Sequence, residues 1–308
     1  MVAEIKKEKS LPVWLCVILF IVGFITVSGV LTLFVGIFIG SDHLKIFGQT
    51  TMLQDILNEG CMFIGALCVS SLLLRFCENK RMDSLGMGVS GRLGDIFTGL
   101  IVAAFIMGGG FYFLLKLGDI RIAKFHFNEN LFLWNIVLFI LVSVTEEISF
   151  RGYILGRMLR SNMNKFLALF ISAVIFMLFH LGNEHTSMLS LLNVFLAGVL
   201  LGSTYIYTKN LWYPISLHFF WNFLQGPVLG FSVSGMSTKS SLIHIKHSSN
   251  MLLNGGNFGF EGSLLCTLLI VLFIVLTIWI MENREQNKRL HQGIQDAELL
   301  KDKVKGEE

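Results

Sequence analysis

About eight apolar blocks, each long enough or nearly long enough to cross a bilayer, constrain this chain more than any other feature. They run over Leu11–Gly40, Asn58–Phe76, Ile96–Leu117, Leu131–Leu155, Phe166–Leu181, Ser187–Tyr207, Leu211–Leu224 and Ser263–Met281. A helix needs roughly 20 apolar residues to span the hydrocarbon core. The blocks lack the alternation of barrel strands over ~10 residues, and backbone groups in lipid must bond within their own segment. An all-α, polytopic transmembrane bundle of about eight spans is therefore expected. Composition agrees: 54% of residues are hydrophobic and 15% charged, against about 45–50% and 25% in a soluble domain. The first block exceeds the 7–15 residues of a signal-peptide core and reads as a retained span.

Basic residues in the short loops predict the orientation. Lys6, Lys7 and Lys9 precede the first span. Arg75, Lys80, Arg81 and Arg92 separate the second from the third, and Arg157, Arg160 and Lys165 the fourth from the fifth. Lys209 separates the sixth from the seventh, and Arg284, Lys288 and Arg289 follow the eighth. These alternate loops read as cytoplasmic, which puts both termini inside a multi-pass cell-membrane protein. The opposite loops are less basic: Ser41–Leu57 carries one Lys against two Asp, and Gly182–Thr186 only Glu184. The connection with Lys116, Arg121 and Lys124 departs from the pattern.

The organisation expected is an N-terminal anchor span and loop over 1–57, a membrane bundle over 58–281, and a charged cytoplasmic tail over 282–308. No internal repeat or low-complexity tract stands out. The Gly- and Ser-rich connection Gln225–Gly262 is too long for a turn, and loops of that size inside compact folds are functional or disordered; a re-entrant cover over the site is the expectation. The net charge of +3 lies between apolar blocks and not in one patch, so no nucleic-acid partner is implied. The five cysteines contain no C-x-x-C pair, which points to neither a disulfide framework nor a thiolate metal site.

The chemistry lies in ionisable groups inside the greasy stretches. Glu146 and Glu147 are adjacent, Arg151 follows four residues after Glu147, His180 closes the fifth block, and His218 and Asn222 share the seventh. An ionisable side chain at bilayer depth costs about 2.5–3.5 kcal/mol even on lenient insertion scales. Glu147 and Arg151 stand at i,i+4 and can neutralise each other on one helical face. That leaves Glu146 as a second carboxylate in a low-dielectric place, where burial and a like-charged neighbour suit it to acid–base work. Singly, each group has a plain structural reading: an ion pair, an interfacial histidine, a hydrogen bond between helices. Together, in three spans that converge, they suggest a water-handling site. Gly198-x-x-x-Gly202 reads as close helix packing, and Gly108–Gly110 as a kink or close helix contact. His180–His185 lacks the H-E-x-x-H of zinc proteases, and no inverted repeat of a transporter is visible.

The ordered set E-E-x-x-x-R (Glu146, Glu147, Arg151), F-x-x-x-H (Phe176, His180) and H-x-x-x-N (His218, Asn222) resembles the CAAX prenyl endopeptidase and bacteriocin-processing family, also called the CPBP or abortive-infection family. The resemblance covers about residues 131–281, including the segments Gln225–Gly235 and Gly255–Ser263. It implies an intramembrane endopeptidase acting on a membrane-associated peptide or protein. Glu146 with His180 would activate water, His218 and Asn222 would stabilise the oxyanion, and Glu147 with Arg151 would orient the first pair. No cofactor is required on this reading. A zinc alternative, with Glu146, His180 and His218 as ligands and one open position, also fits. The resemblance suggests leader-peptide processing or self-immunity. It also leaves open a scaffold or regulator that binds a membrane-protein partner such as a sensor kinase or a cell-wall enzyme. One difficulty stands: counted from the expected cytoplasmic helix ends, Glu146 lies about 14 Å deep, His218 about 11 Å and His180 about 21 Å.

Overall fold

The computed structural model describes residues 11–39 and 51–305. Lys6, Lys7 and Lys9, and residues 41–50 of the loop expected after the first span, lie outside the described residues. The architecture is a helical bundle. Its long elements are α1 (Val13–Ile39), α2 (Met52–Glu78), α3 (Leu93–Lys116), α4 (Glu129–Glu146), α7 (Met188–Thr208) and α10 (Leu264–Lys305). A π-helical segment, Glu147–Leu155, carries α4 into the short α5 (Gly156–Arg160). The shorter helices α6 (Lys165–Phe179) and α8 (Trp212–Phe223) complete the bundle.

Among the described residues six helices are long and apolar enough to cross a membrane, so the chain is read as a multi-pass membrane protein. The fifth and seventh expected spans are α6, 15 residues, and α8, 12 residues. At 1.5 Å per residue neither reaches across ~30 Å of hydrocarbon alone.

Helix ends follow local chemistry. Thr51 and Gln54 form a reciprocal capping box at the start of α2, and Ser187 and Ser190 do so at α7. Asn128 and Asn164 accept from the first backbone N–H groups of α4 and α6. Such side-chain acceptors satisfy the donors that a helix start leaves open.

The expected cytoplasmic loops gather at one end of the bundle and are knitted there. Arg160 holds Glu78 through two contacts of 2.8 and 3.2 Å, and Arg157 donates to the Leu11 carbonyl at 2.7 Å. Lys165 reaches Glu282 at 2.7 Å, which also accepts from Tyr207 at 2.6 Å. Leu211 donates to Gly86 and Asn210 to Gly88. The opposite end carries a two-stranded antiparallel sheet that the helical pattern did not lead one to expect. β1 (Ile120–Phe125) pairs with β2 (Ile243–His247), and α9 (Met251–Asn254) follows. β1 contains Arg121 and Lys124, the basic residues that departed from the loop pattern.

Two apolar cores fill the bundle. One joins α1, α2 and the π-helical segment, with Phe20 stacked 4.5 Å from Tyr153. The other joins α3, α8, α10 and the loop around Phe231 and Phe260. Small residues permit the close approaches. Gly198 and Gly202 of α7 face α6, where a methyl on Gly198 would press on Ala173 and Phe176. Gly110 of α3 faces the fully buried ring of Phe260.

The glycine triplet supplies an internal control. Gly110→Ala should lower the midpoint of thermal unfolding in detergent, because its Cβ would meet the Phe260 ring, and overpacking costs about 1–3 kcal/mol. Gly109→Ala, whose Cβ meets nothing within 4 Å, should be neutral or stabilising by up to about 1 kcal/mol through helix propensity.

Candidate functional site

Where α4 passes into its π-helical continuation, the two adjacent glutamates separate in role. Wider turns of this kind recur at functional positions. Glu147 is fully buried. Its Oε1 accepts from Arg151 Nη1 at 2.7 Å and from His218 Nδ1 at 2.9 Å. Arg151, 1% exposed, also donates to the Gly198 carbonyl at 3.3 Å and lies 4.3 Å above the Phe176 ring. The glycine of the G-x-x-x-G pair thus admits α6 and offers a backbone acceptor to the buried guanidinium.

Glu146 points elsewhere. Its side chain is 20% exposed, and Oε2 lies 3.8 Å from His218 Nε2 with no protein hydrogen-bond partner. The His218 ring therefore stands between the two carboxylates. A carboxylate only accepts, so the partner atoms assign the His218 proton to Nδ1 in the contact with Glu147. His180 caps α6. Its Nδ1 lies 2.8 Å from the Phe176 carbonyl, which assigns the proton there and leaves Nε2 as the basic nitrogen in the neutral ring. The rings of His180 and His218 both contact Phe176, at centroid distances of 4.6 and 6.4 Å.

Glu146, His180, His218 and Asn222 all line one cavity of about 890 Å³. Glu147 and Arg151 lie behind it, buried. All six polar residues picked out from the sequence are thus brought to one place. A helix boundary accounts for part of the disagreement in depth. The fourth span continues to Arg160, so Glu146 lies about 21 Å from its end and His180 about 22 Å from the start of α6, whereas His218 stays about 9 Å from the start of α8.

Other residues of the cavity were not picked out. Glu59 of α2 lines it, and its Oε2 is enclosed without a protein partner. The signal was present, since an ionisable group in an apolar block is the rule that exposed Glu146. The expected second block starts at Asn58, which makes Glu59 a boundary residue, whereas α2 begins at Met52. Glu261, within the Gly255–Ser263 segment, is a second such residue. It accepts from Trp221 Nε1 at 2.7 Å and from the Ser234 N–H and hydroxyl at 2.8 and 2.9 Å. It thereby ties the long loop to α8. Residues 233–239 of that loop contribute to the cavity wall, together with Glu184.

Both histidines donate Nδ1–H to a protein acceptor and keep Nε2 free, an arrangement that metal-bound histidines share. As placed, Glu146, His180 and His218 do not form a group that holds an ion, and no group of three or more His, Cys, Asp or Glu side chains does so among the described residues.

Fold and cavity define a class: a helical membrane bundle with a carboxylate–histidine site enclosed at depth. Residues 128–224 match the family model of the Type II CAAX prenyl endopeptidases, Rce1-like. This protease family is the one to which the motifs at Glu146, His180 and His218 pointed. No curated protein matches the chain.

Removing the guanidinium should be costly. Arg151→Met leaves Glu147 buried with its charge uncompensated and should destabilise the protein by about 3–5 kcal/mol. The double variant Glu147→Gln/Arg151→Met should cost less than the sum of the two single variants. Denaturant unfolding in micelles checks both expectations.

Proposed function

We propose that this chain is an intramembrane endopeptidase of the cell membrane, with both termini cytoplasmic, that hydrolyses a peptide bond in a membrane-associated peptide or protein. The observation that carries the reading is the placement of Glu146. It is a carboxylate with one oxygen unpartnered by protein, in a cavity it shares with His180, His218 and Asn222. A second carboxylate, Glu147, is held directly behind it.

Glu146 acts as the base that takes a proton from the attacking water. His180, with Nε2 as its basic nitrogen, assists in orienting that water. His218, as the imidazolium with Nδ1–H on Glu147 and Nε2–H towards the cavity, and Asn222 donate to the oxyanion of the tetrahedral intermediate. The proton held by Glu146 then passes to the leaving amine, so the carboxylate is regenerated when the C–N bond breaks. Glu147 and Arg151 do not touch substrate. They fix the ring of His218 and exclude a competing acceptor, as a carboxylate behind a histidine does in other hydrolases. No step runs through a metal ion. Leader-peptide or bacteriocin processing and self-immunity are the physiological roles this chemistry suits.

The reading is tested by Glu146→Ala. Processing should be lost while the protein remains in the membrane; survival of processing would favour a scaffold that binds a membrane-protein partner. Asn222→Ala should lower kcat by about 10²–10³, the usual effect of removing one oxyanion donor. Treatment with a chelator should leave the rate of the purified protein unchanged, whereas loss restored by zinc would reverse the metal-free mechanism.

A further inference from the structure

We propose that the cavity opens on the extracytoplasmic side of the membrane and receives an extended peptide segment from that leaflet. The statement about access rests on the placement of the cavity and on the distribution of basic loops, and the nature of the ligand rests on the peptidase reading above.

The bundle has two chemically distinct ends. At one, the end of α2, the start of α6, the end of α7 and Glu282 of α10 are joined by Arg160, Lys165 and Tyr207. The basic loops that mark the cytoplasmic side converge there. Residues lining the cavity come from the other half. They include the first three turns of α2 (Met52 to Met62), α4 from Asn135 into the start of its π-helical continuation, the last turn of α6 with Gly182–Glu184 beyond it, the first half of α7 (Val194 to Leu201), the second half of α8 (Leu217 to Asn222), and the loop around Ser237. None of the ion pairs at the basic end borders it.

Towards the cytoplasm the cavity is floored. Glu147, Ile148, Arg151, Ile154 and Leu155 of the π-helical segment have at most 1% exposure. The guanidinium and the Phe176 ring close that floor. Towards the opposite surface the lining becomes polar and exposed. Met236, Ser237 and Lys239 are exposed, and Lys239 lies 3.7 Å from Asp55 at the mouth. A volume of about 890 Å³ stands at the upper end of small-ligand clefts, roughly 300–1,000 Å³, and admits a short extended stretch of chain. A substrate reaching Glu146 therefore comes from a peptide already exported, or from the outward-facing juxtamembrane part of a membrane protein.

Cysteine labelling tests the side directly. Ser237→Cys at the mouth and Arg81→Cys at the basic end are placed separately in a Cys68→Ala/Cys77→Ala background, which removes the two cysteines that are not buried. With a membrane-impermeant maleimide on intact cells, Ser237→Cys should react, and Arg81→Cys should react only after permeabilisation. The reverse pattern, or protection of Ser237→Cys until permeabilisation, overturns the proposal. In parallel, a membrane-impermeant quenched peptide is offered to sealed right-side-out and inverted vesicles. Cleavage that depends on Glu146 should be at least tenfold faster in the right-side-out vesicles; faster cleavage in inverted vesicles overturns the proposal. Outward labelling with no Glu146-dependent cleavage on either face counts against the peptidase reading and supports the access side.

Discussion

The contact of Glu147 with Arg151 and His218 is the interaction on which the rest of the site depends. A carboxylate with no exposure at bilayer depth is tolerated only with a charge partner and donors at short range, and Glu147 has both at 2.7 and 2.9 Å. Meeting that need fixes three elements at once. Arg151 lies on the same helix. Its second amino group requires a carbonyl from α7, made reachable by Gly198. The imidazole comes from α8, a helix too short to cross the membrane. The carboxylate beside it, Glu146, has no protein partner for Oε2 and faces the cavity.

The π-helical segment adds the local geometry. In a regular helix adjacent side chains diverge by about 100° and belong to different faces. Here one histidine ring meets Glu147 with one nitrogen and approaches Glu146 with the other. The wider turns run on from the pair through Leu155 and remain buried along their length. That segment separates the polar cavity from the basic end of the bundle. Glu261 plays the corresponding part on the far wall, where its three accepted hydrogen bonds hold the Ser234 turn against Trp221.

Most of the bundle was legible because lipid leaves few choices: an apolar run of sufficient length is a helix, and the expected α3 and α7 differ from those observed by a few residues. Boundaries beside polar residues were read less well. The fourth span was ended at Leu155 and the second begun at Asn58, since charges and amides at a block's edge look like water-facing residues. The first error accounts for part of the disagreement in depth, and the second hid Glu59. The β1–β2 pair was missed because five- and six-residue strands, alternating as Ile120-Arg-Ile122 and Ile243-His-Ile245 do, are faint beside blocks of twenty apolar residues. The six polar groups named in advance did converge, because each was costly in its surroundings unless it met the others. Glu261 was not legible as such, since its two partner residues, Trp221 and Ser234, come from a helix and a loop distant in sequence.

The final helix has a mechanical consequence. At 42 residues it extends about 63 Å, twice the ~30 Å of the hydrocarbon layer. Its C-terminal half therefore projects beyond that layer as a rod, gripped at its base by Lys165 through Glu282 and Glu285. A rod some thirty ångströms long converts a tilt of a few degrees at that grip into a displacement of an ångström or two at its tip.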